Sequence, residues 1–202
     1  MTWTLYASPR SPFVRKVMVA AHETGLAARI TRIEVVTTPM NPAPELAGVN
    51  PLGMIPTLVT EEATLFDSFV ILDHFDTVAG GLVPAGAART EALTRHAMAG
   101  GMLDKAVRIL DEQFRVQNAD TAQHVAGYVR AIRAGIGWME PRLDVARFDL
   151  GDIAFATLLA YLDMRFPQVL WRDGADRAAA WFEQVSQRPS MVATKFAEPP
   201  FV

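Results

Sequence analysis

The sequence predicts an α/β domain followed by an all-α helical bundle, and three of its features carry that prediction. Two strand-like segments flank one helix within residues 2–36, the pattern of a βαβ unit with parallel strands. The stretch Ala79-Gly80-Gly81-Leu82-Val83-Pro84-Ala85-Gly86 then breaks the composition with small residues and a proline. Beyond it the apolar residues recur at helical intervals. The expected organisation is a first domain over residues 1–79, a linker over 80–87 and a helical domain over 88–202. Half of the 202 residues are hydrophobic, enough for a substantial core.

Thr2 to Tyr6 reads as the first strand. Ser11 follows at an N-cap, with Pro12 at the first helical position, where a missing N–H costs nothing and the fixed φ is already helical. Val14, Val17, Met18 and Ala21 give this helix an apolar face, and Gly25 ends it just after Glu23. Arg29 to Val36 alternates polar and apolar over β-branched residues and reads as the second strand. Pro39, Pro42 and Pro44 make 38–50 a loop with at most one helical turn. Thr57-Leu58-Val59, a turn at Glu61-Glu62 and Ala63 to Phe66 read as an antiparallel hairpin, with Pro56 just ahead of its first strand. A cis Ile55–Pro56 bond would turn the N–H and C=O of Ile55 outward to pair with a peptide ligand, but composition leaves cis and trans both open. Asp67 or Ser68 then caps a helix whose apolar stripe is Ile71, Leu72, Phe75 and Val78.

In the second half Leu103, Val107, Leu110 and Phe114 step by helical intervals, as do Val125, Val129, Ile132, Ile136 and Met139. Gly100-Gly101 inside the first of these helices costs about 1 kcal/mol per glycine relative to alanine, and close approach of another helix or a ligand is the expected reason. Pro141 should kink or end the next helix. Asp149-Leu150-Gly151-Asp152 reads as a capping box before a helix that is apolar nearly all round, hence a buried central helix; this feature is structural. A last helix from about Ala175 to Gln187 carries Trp181 and Phe182, and Pro189 stops it.

Composition excludes several classes of function. A net charge of -3 without a basic run gives no footprint for nucleic acid. The absence of cysteine removes disulfides, thiolate metal sites and any cysteine nucleophile, so thiol chemistry must belong to a ligand. The start has no secretory pattern and no apolar run reaches the ~20 residues of a membrane span, so the cytoplasm is expected and a membrane is not. His22, His74, His96 and His124 are scattered without metal-ligand spacing, and no metal is expected.

The residues that point to chemistry stand at helix starts. Unpaired N–H groups and the positive end of the helix dipole favour an anion there, and Ser11 could donate a hydrogen bond to it. Taken alone, Ser11 reads better as a cap for its own helix than as a donor. Asp67 and Ser68 pose the same choice, and the two helix starts form a site only if they meet in space.

Taken together, four segments in order resemble the soluble glutathione transferase family over nearly the whole chain. Ser11-Pro12-Phe13-Val14-Arg15-Lys16-Val17 is similar to the active-site helix start of its serine-type members, including many bacterial enzymes. Asn50-Pro51-Leu52-Gly53-Met54-Ile55-Pro56-Thr57-Leu58 is similar to the segment with the cis-proline, Asp67-Ser68 to its acidic-Ser pair, and Asp149 to Asp152 to its capping box. The resemblance implies a thioredoxin-like domain followed by an all-helical one, with glutathione as co-substrate. It implies that Ser11 holds the glutathione sulfur ionised, that Ile55 beside Pro56 pairs with the cysteinyl unit, and that Asp67 and Ser68 take the γ-glutamyl end. Ser8 is a rival donor whose place before Pro9 suits a turn. Many members carry a lysine where Met54 stands and a basic residue where Asn41 stands, so Asn41 is left to meet the glycine carboxylate and affinity for glutathione should be modest.

The same resemblance implies a homodimer and a small electrophile bound between the domains, against the helix bearing Met102, Asp104 and Arg108. Met102 and Phe114 themselves read as core, and Asp104 as making an internal hydrogen bond. The implied activity is conjugation or a related glutathione-dependent reaction. The other reading is a binding or scaffold protein that keeps the fold without turnover.

Overall fold

In the computed structural model, which describes residues 2–197, the first strand β1 (Trp3–Ala7) leads into α1 (Pro12–Glu23), and β2 (Ile30–Glu34) returns parallel to β1. After a long loop with one helical turn at Pro44–Leu46, β3 (Thr57–Val59) and β4 (Thr64–Leu65) form the expected hairpin. The sheet order is β2-β1-β3-β4, with β1 antiparallel to β3. α2 (Ser68–Ala79) completes this layer and packs on α1. Val14, Val17 and Ala21 of α1 and Ile71, Leu72 and Phe75 of α2 are buried as their spacing requires; Val78 is not.

The chain groups into two units, one of residues up to Pro84 together with those from Pro189 onward, the other of Ala85–Arg188. Pro189 does not simply stop a helix. It opens α7 (Pro189–Ala193), which packs against α1 and so belongs with the first unit. Proline at a first helical position suits a start as well as a stop.

The second unit is helical: α3 (Ala87–Gln113), α4 (Ala119–Met139), α5 (Leu150–Arg165) and α6 (Asp176–Val185). α4 ends just before Pro141, as expected. α5 is buried from Leu150 to Leu159, the central helix its composition requires. Its capping box is present, Asp149 accepting from Gly151 and Asp152 N–H and Asp152 accepting from Asp149 N–H. The buried Arg95 of α3 spans both carboxylates, with Nη1 at 2.6 Å from Asp152 and Nη2 on Asp149. A Cβ at Gly151 would stand 2.9 Å from the Ala92 carbonyl and from Arg95 Cβ, so glycine is required for this approach.

Two features of the helical unit differ from the sequence reading, the first in its expected helix approach. A Cβ at Gly100 or Gly101 would meet nothing, whereas the close helix approach occurs at Gly135, against Met102. Phe114, expected in the core, is 83% exposed at the C-cap of α3, because the helix ends before its periodic stripe does.

Candidate active site

The strand order determines which loops meet. β3 is antiparallel to both β1 and β4, so the C-terminal ends of β1 and β4 and the N-terminal end of β3 share one edge of the sheet. Those ends carry Ser11, the pair Asp67 and Ser68, and the pair Ile55 and Pro56. The two helix starts thus fall on the same edge.

Ser11 caps α1 from an extended conformation, φ -78° and ψ 123°, and its Oγ accepts from Val14 N–H at 3.3 Å. An accepting hydroxyl still has its own proton to give, so capping and donation are compatible. Ser8 lies in a turn, its Oγ accepting weakly from Arg10 N–H at 3.4 Å and its carbonyl accepting from Ser11 N–H at 3.1 Å.

The Ile55–Pro56 bond is cis, and the N–H and C=O of Ile55 have no hydrogen-bond partner among the described residues. What holds this turn is Asn50, which is 2% exposed. Its Nδ2 donates to the Met54 carbonyl at 3.1 Å and to Thr57 Oγ1 at 2.9 Å, and its Oδ1 accepts from Leu52 N–H at 3.0 Å. The Thr57 hydroxyl donates to the same Met54 carbonyl at 2.8 Å. Asn50 and Thr57 are positioning residues whose role the sequence signals only weakly, through an asparagine before a proline seven residues ahead of a strand threonine. Gly53 takes φ +60°, and a Cβ there would lie 3.3 Å from Pro42 Cβ, so the turn admits glycine. The Thr37 hydroxyl donates to the Gly53 carbonyl at 2.7 Å and ties in the loop that carries Asn41. Asn41 is exposed, with no hydrogen bond to its side chain among the described residues.

Asp67 caps α2, its Oδ1 accepting from Phe69 N–H at 2.8 Å, and it stands exposed while Ser68 is buried. The Phe66–Asp67 peptide bond is also cis. Lys16 of α1 is 2% exposed. Burial pushes its ammonium down from 10.5 to about 8 against the opposing pull of Asp67. The Asp67 carboxylate is therefore within electrostatic reach of α1. This edge can accordingly offer a hydroxyl donor, an unpaired peptide group and a carboxylate to one extended ligand.

Two residues of α3 lie apart from this edge. Met102 is buried in the helical unit, as expected, and Asp104 makes the expected hydrogen bond within the protein, accepting from Arg108 Nε of its own helix at 2.9 Å on an exposed face. Among the described residues no group of His, Cys, Asp or Glu has the arrangement to hold a metal, and no helix is long and apolar enough to cross a membrane.

Two family models match the chain: glutathione S-transferase, N-terminal domain, over residues 10–78, and glutathione S-transferase, C-terminal domain, over 88–184. A glutathione transferase family member from Pseudomonas fluorescens Pf-5, solved with bound glutathione, is 38% identical with a TM-score of 0.92, covering 98% of this chain and 100% of its own. A Pf-5 family-member structure with bound S-(propanoic acid)-glutathione is 37% identical with a TM-score of 0.87, over 97% and 100%. The uncharacterized GST-like protein YibF of Escherichia coli K12 is 28% identical over 97% of this chain and 98% of its own.

Proposed function

The chain belongs to the glutathione S-transferase family, and from that premise we propose that it binds glutathione along the shared strand edge and uses Ser11 to hold the sulfur as thiolate for attack on a small electrophile. The observation that carries this reading is the convergence of Ser11, the unpaired Ile55 peptide group and Asp67 on one edge. Ile55 pairs with the cysteinyl backbone, Asp67 with the γ-glutamyl ammonium, and Ser68 at the α2 start with the γ-glutamyl carboxylate. Asn41, on the loop tied to Gly53, faces the glycine end. Glutathione bound in a 38%-identical relative supports the ligand. The nucleophile is the ligand's sulfur, and Ser11 donates its hydroxyl proton to that sulfur in a hydrogen bond. We place the protein in the cytoplasm as a homodimer of the serine-type, bacterial kind, with conjugation in detoxification as its work. A second reading, glutathione binding without turnover, is favoured by the exposed Met54 and by Asn41, neither of which supplies a cation.

A glutathione titration followed by thiolate absorbance in the ultraviolet tests the proposal. Saturable thiolate signal at neutral pH in the wild type, lost in Ser11→Ala while glutathione still binds, supports it. Binding without ionisation in the wild type gives the lead to the second reading, and absence of binding refutes both.

A further inference from the structure

Between β2 and β3 the chain builds a small platform for the Ile55 turn. Val35, Ala43 and Leu46 are buried together, and Tyr6 and Ile55 pack against them. The loop that carries Asn41 therefore also supports the Ile55 side chain. At the tip of this loop Thr38 and Asn41 pair with each other. Asn41 N–H donates to the Thr38 carbonyl at 3.1 Å and to Thr38 Oγ1 at 3.0 Å, and Thr38 N–H donates to the Asn41 carbonyl at 3.2 Å. A tip closed on itself stands wherever its base is fixed.

One hydroxyl fixes that base. Thr37 Oγ1 donates to the Gly53 carbonyl at 2.7 Å and accepts from Ala43 N–H at 3.2 Å. A hydroxyl has one proton to give and lone pairs to receive with, and this one is used in both senses. It joins three pieces: the start of the tip, the platform at Ala43 and the turn at Gly53. Gly53 also approaches Pro42 closely, since a Cβ there would lie 3.3 Å from Pro42 Cβ. Along the turn the carbonyls are committed in succession, Gly53 to Thr37 and Met54 to Asn50 and Thr57. The peptide group of Ile55 comes next, unpaired among the described residues. A peptide group held still before its ligand arrives loses less freedom on binding.

We propose that Thr37 is a positioning residue for glutathione, granted the reading of this edge as the glutathione site. Acting through Gly53 and Ala43, its hydroxyl sets where the Ile55 peptide group and the Asn41 tip stand, and so the affinity for the tripeptide's backbone and glycine end. Its hydrogen bonds go neither to Ser11 nor to α1, so ionisation of the sulfur is left to Ser11. Affinity and ionisation are then carried by separate parts of the same edge.

The test compares the full-length wild type with Thr37→Val, which keeps the shape and removes the hydroxyl, and Thr37→Ser, which keeps the hydroxyl. Circular dichroism checks that each is folded. Thr37→Val should bind glutathione about tenfold more weakly by calorimetry, with KM for glutathione rising in step. Its kcat at saturating glutathione, with chlorodinitrobenzene as electrophile, and the thiol pKa of the bound ligand should match the wild type. Thr37→Ser should bind within about twofold of the wild type, because both hydrogen bonds survive. In the ligand-free proteins amide exchange at Ala43 should be about tenfold faster in Thr37→Val alone. Wild-type affinity in Thr37→Val overturns the proposal, and so does a serine variant as weak as the valine one, which would assign the effect to the methyl group. A lower kcat together with a raised thiol pKa overturns the separation of affinity from ionisation. No glutathione binding in any of the three proteins overturns the glutathione reading itself. Faster Ala43 exchange in Thr37→Val then still supports Thr37 as the residue that positions the turn, and unchanged exchange overturns that as well.

Discussion

Replacing Ser11 with alanine removes two things at once, the cap on α1 and the proposed proton donor, and the structure allows them to be separated. The Oγ accepts from Val14 N–H at 3.3 Å, a long bond at the first turn of a twelve-residue helix. Loss of such a cap costs about 1 kcal/mol, which for a chain of this size lowers Tm by about 2–4 °C. A hydrogen bond to a charged sulfur contributes about 1.5–3 kcal/mol, so its loss raises the apparent pKa of the bound thiol by about 1–2. Ser11→Ala should then show kcat/KM lower by about 10–100-fold at pH 7, with the gap closing as pH rises above the thiol pKa. Ser11→Asp keeps the capping acceptor and removes the donor. It should melt close to the wild type and still fail to ionise glutathione. The assay is a pH titration of thiolate absorbance in the glutathione complex beside thermal melts of the three proteins. If Ser11→Ala leaves the thiol titration unchanged, or if Ser8→Ala produces the shift instead, the assignment of the donor is wrong.

Other consequences can be measured separately. Burial pushes the Lys16 ammonium down from 10.5 to about 8, so between those values the unfolded chain holds a proton that the folded chain has released. Stability should rise with pH across that window by up to about 3 kcal/mol relative to Lys16→Met, read as the difference between their urea midpoints at pH 7.5 and pH 10. A flat difference would mean that Lys16 keeps its proton. Asn50→Ala strips three hydrogen bonds from the turn that presents Ile55; glutathione affinity measured by calorimetry should fall about tenfold, with about 1–3 kcal/mol of stability lost. Gly151→Ala places a methyl against the Ala92 carbonyl and should cost about 1–3 kcal/mol in chemical denaturation, since backbone cannot move aside as a side chain would. A wild-type-like melt for Gly151→Ala would show that α3 and α5 can separate there at little cost.

Much of the framework of the candidate site was legible in the sequence because its signals are local. Ser11 before Pro12 marks a helix start whatever surrounds it, and Asp67 before an apolar stripe does the same. The hairpin follows from alternation around Glu61-Glu62, and the βαβ unit from its length and β-branched content. The capping box at Asp149 and Asp152 is likewise written within four residues. Arg15 and Lys16 were not legible as buried groups, because one is covered by a segment about 175 residues away and the other by packing that no period of α1 announces. The glycine pair at Gly100-Gly101 misled for a related reason: close approach depends on the facing helix, and that helix meets Met102 at Gly135. Phe114 kept the helical register of its stripe but lies past the last turn of α3, where its ring stands exposed. Pro189 was read with the correct conformational rule and the wrong direction, since fixed φ serves a helix start as readily as a stop.

Residues 189–197 return to α1 only after the whole of Ala85–Arg188 has intervened. During synthesis the sheet and its two helices therefore emerge early but stay uncapped on the α7 side of α1 until the helical unit has left the ribosome, a delay of roughly 5–20 seconds at common elongation rates. Through that interval Arg15 lacks the Met191 carbonyl and Glu23 lacks the Ser190 hydroxyl. A nascent chain stalled near Pro84 should thus be more sensitive to protease along α1 than the released protein. The order of assembly is set by the chain's path: the first unit to be made is the last to be finished.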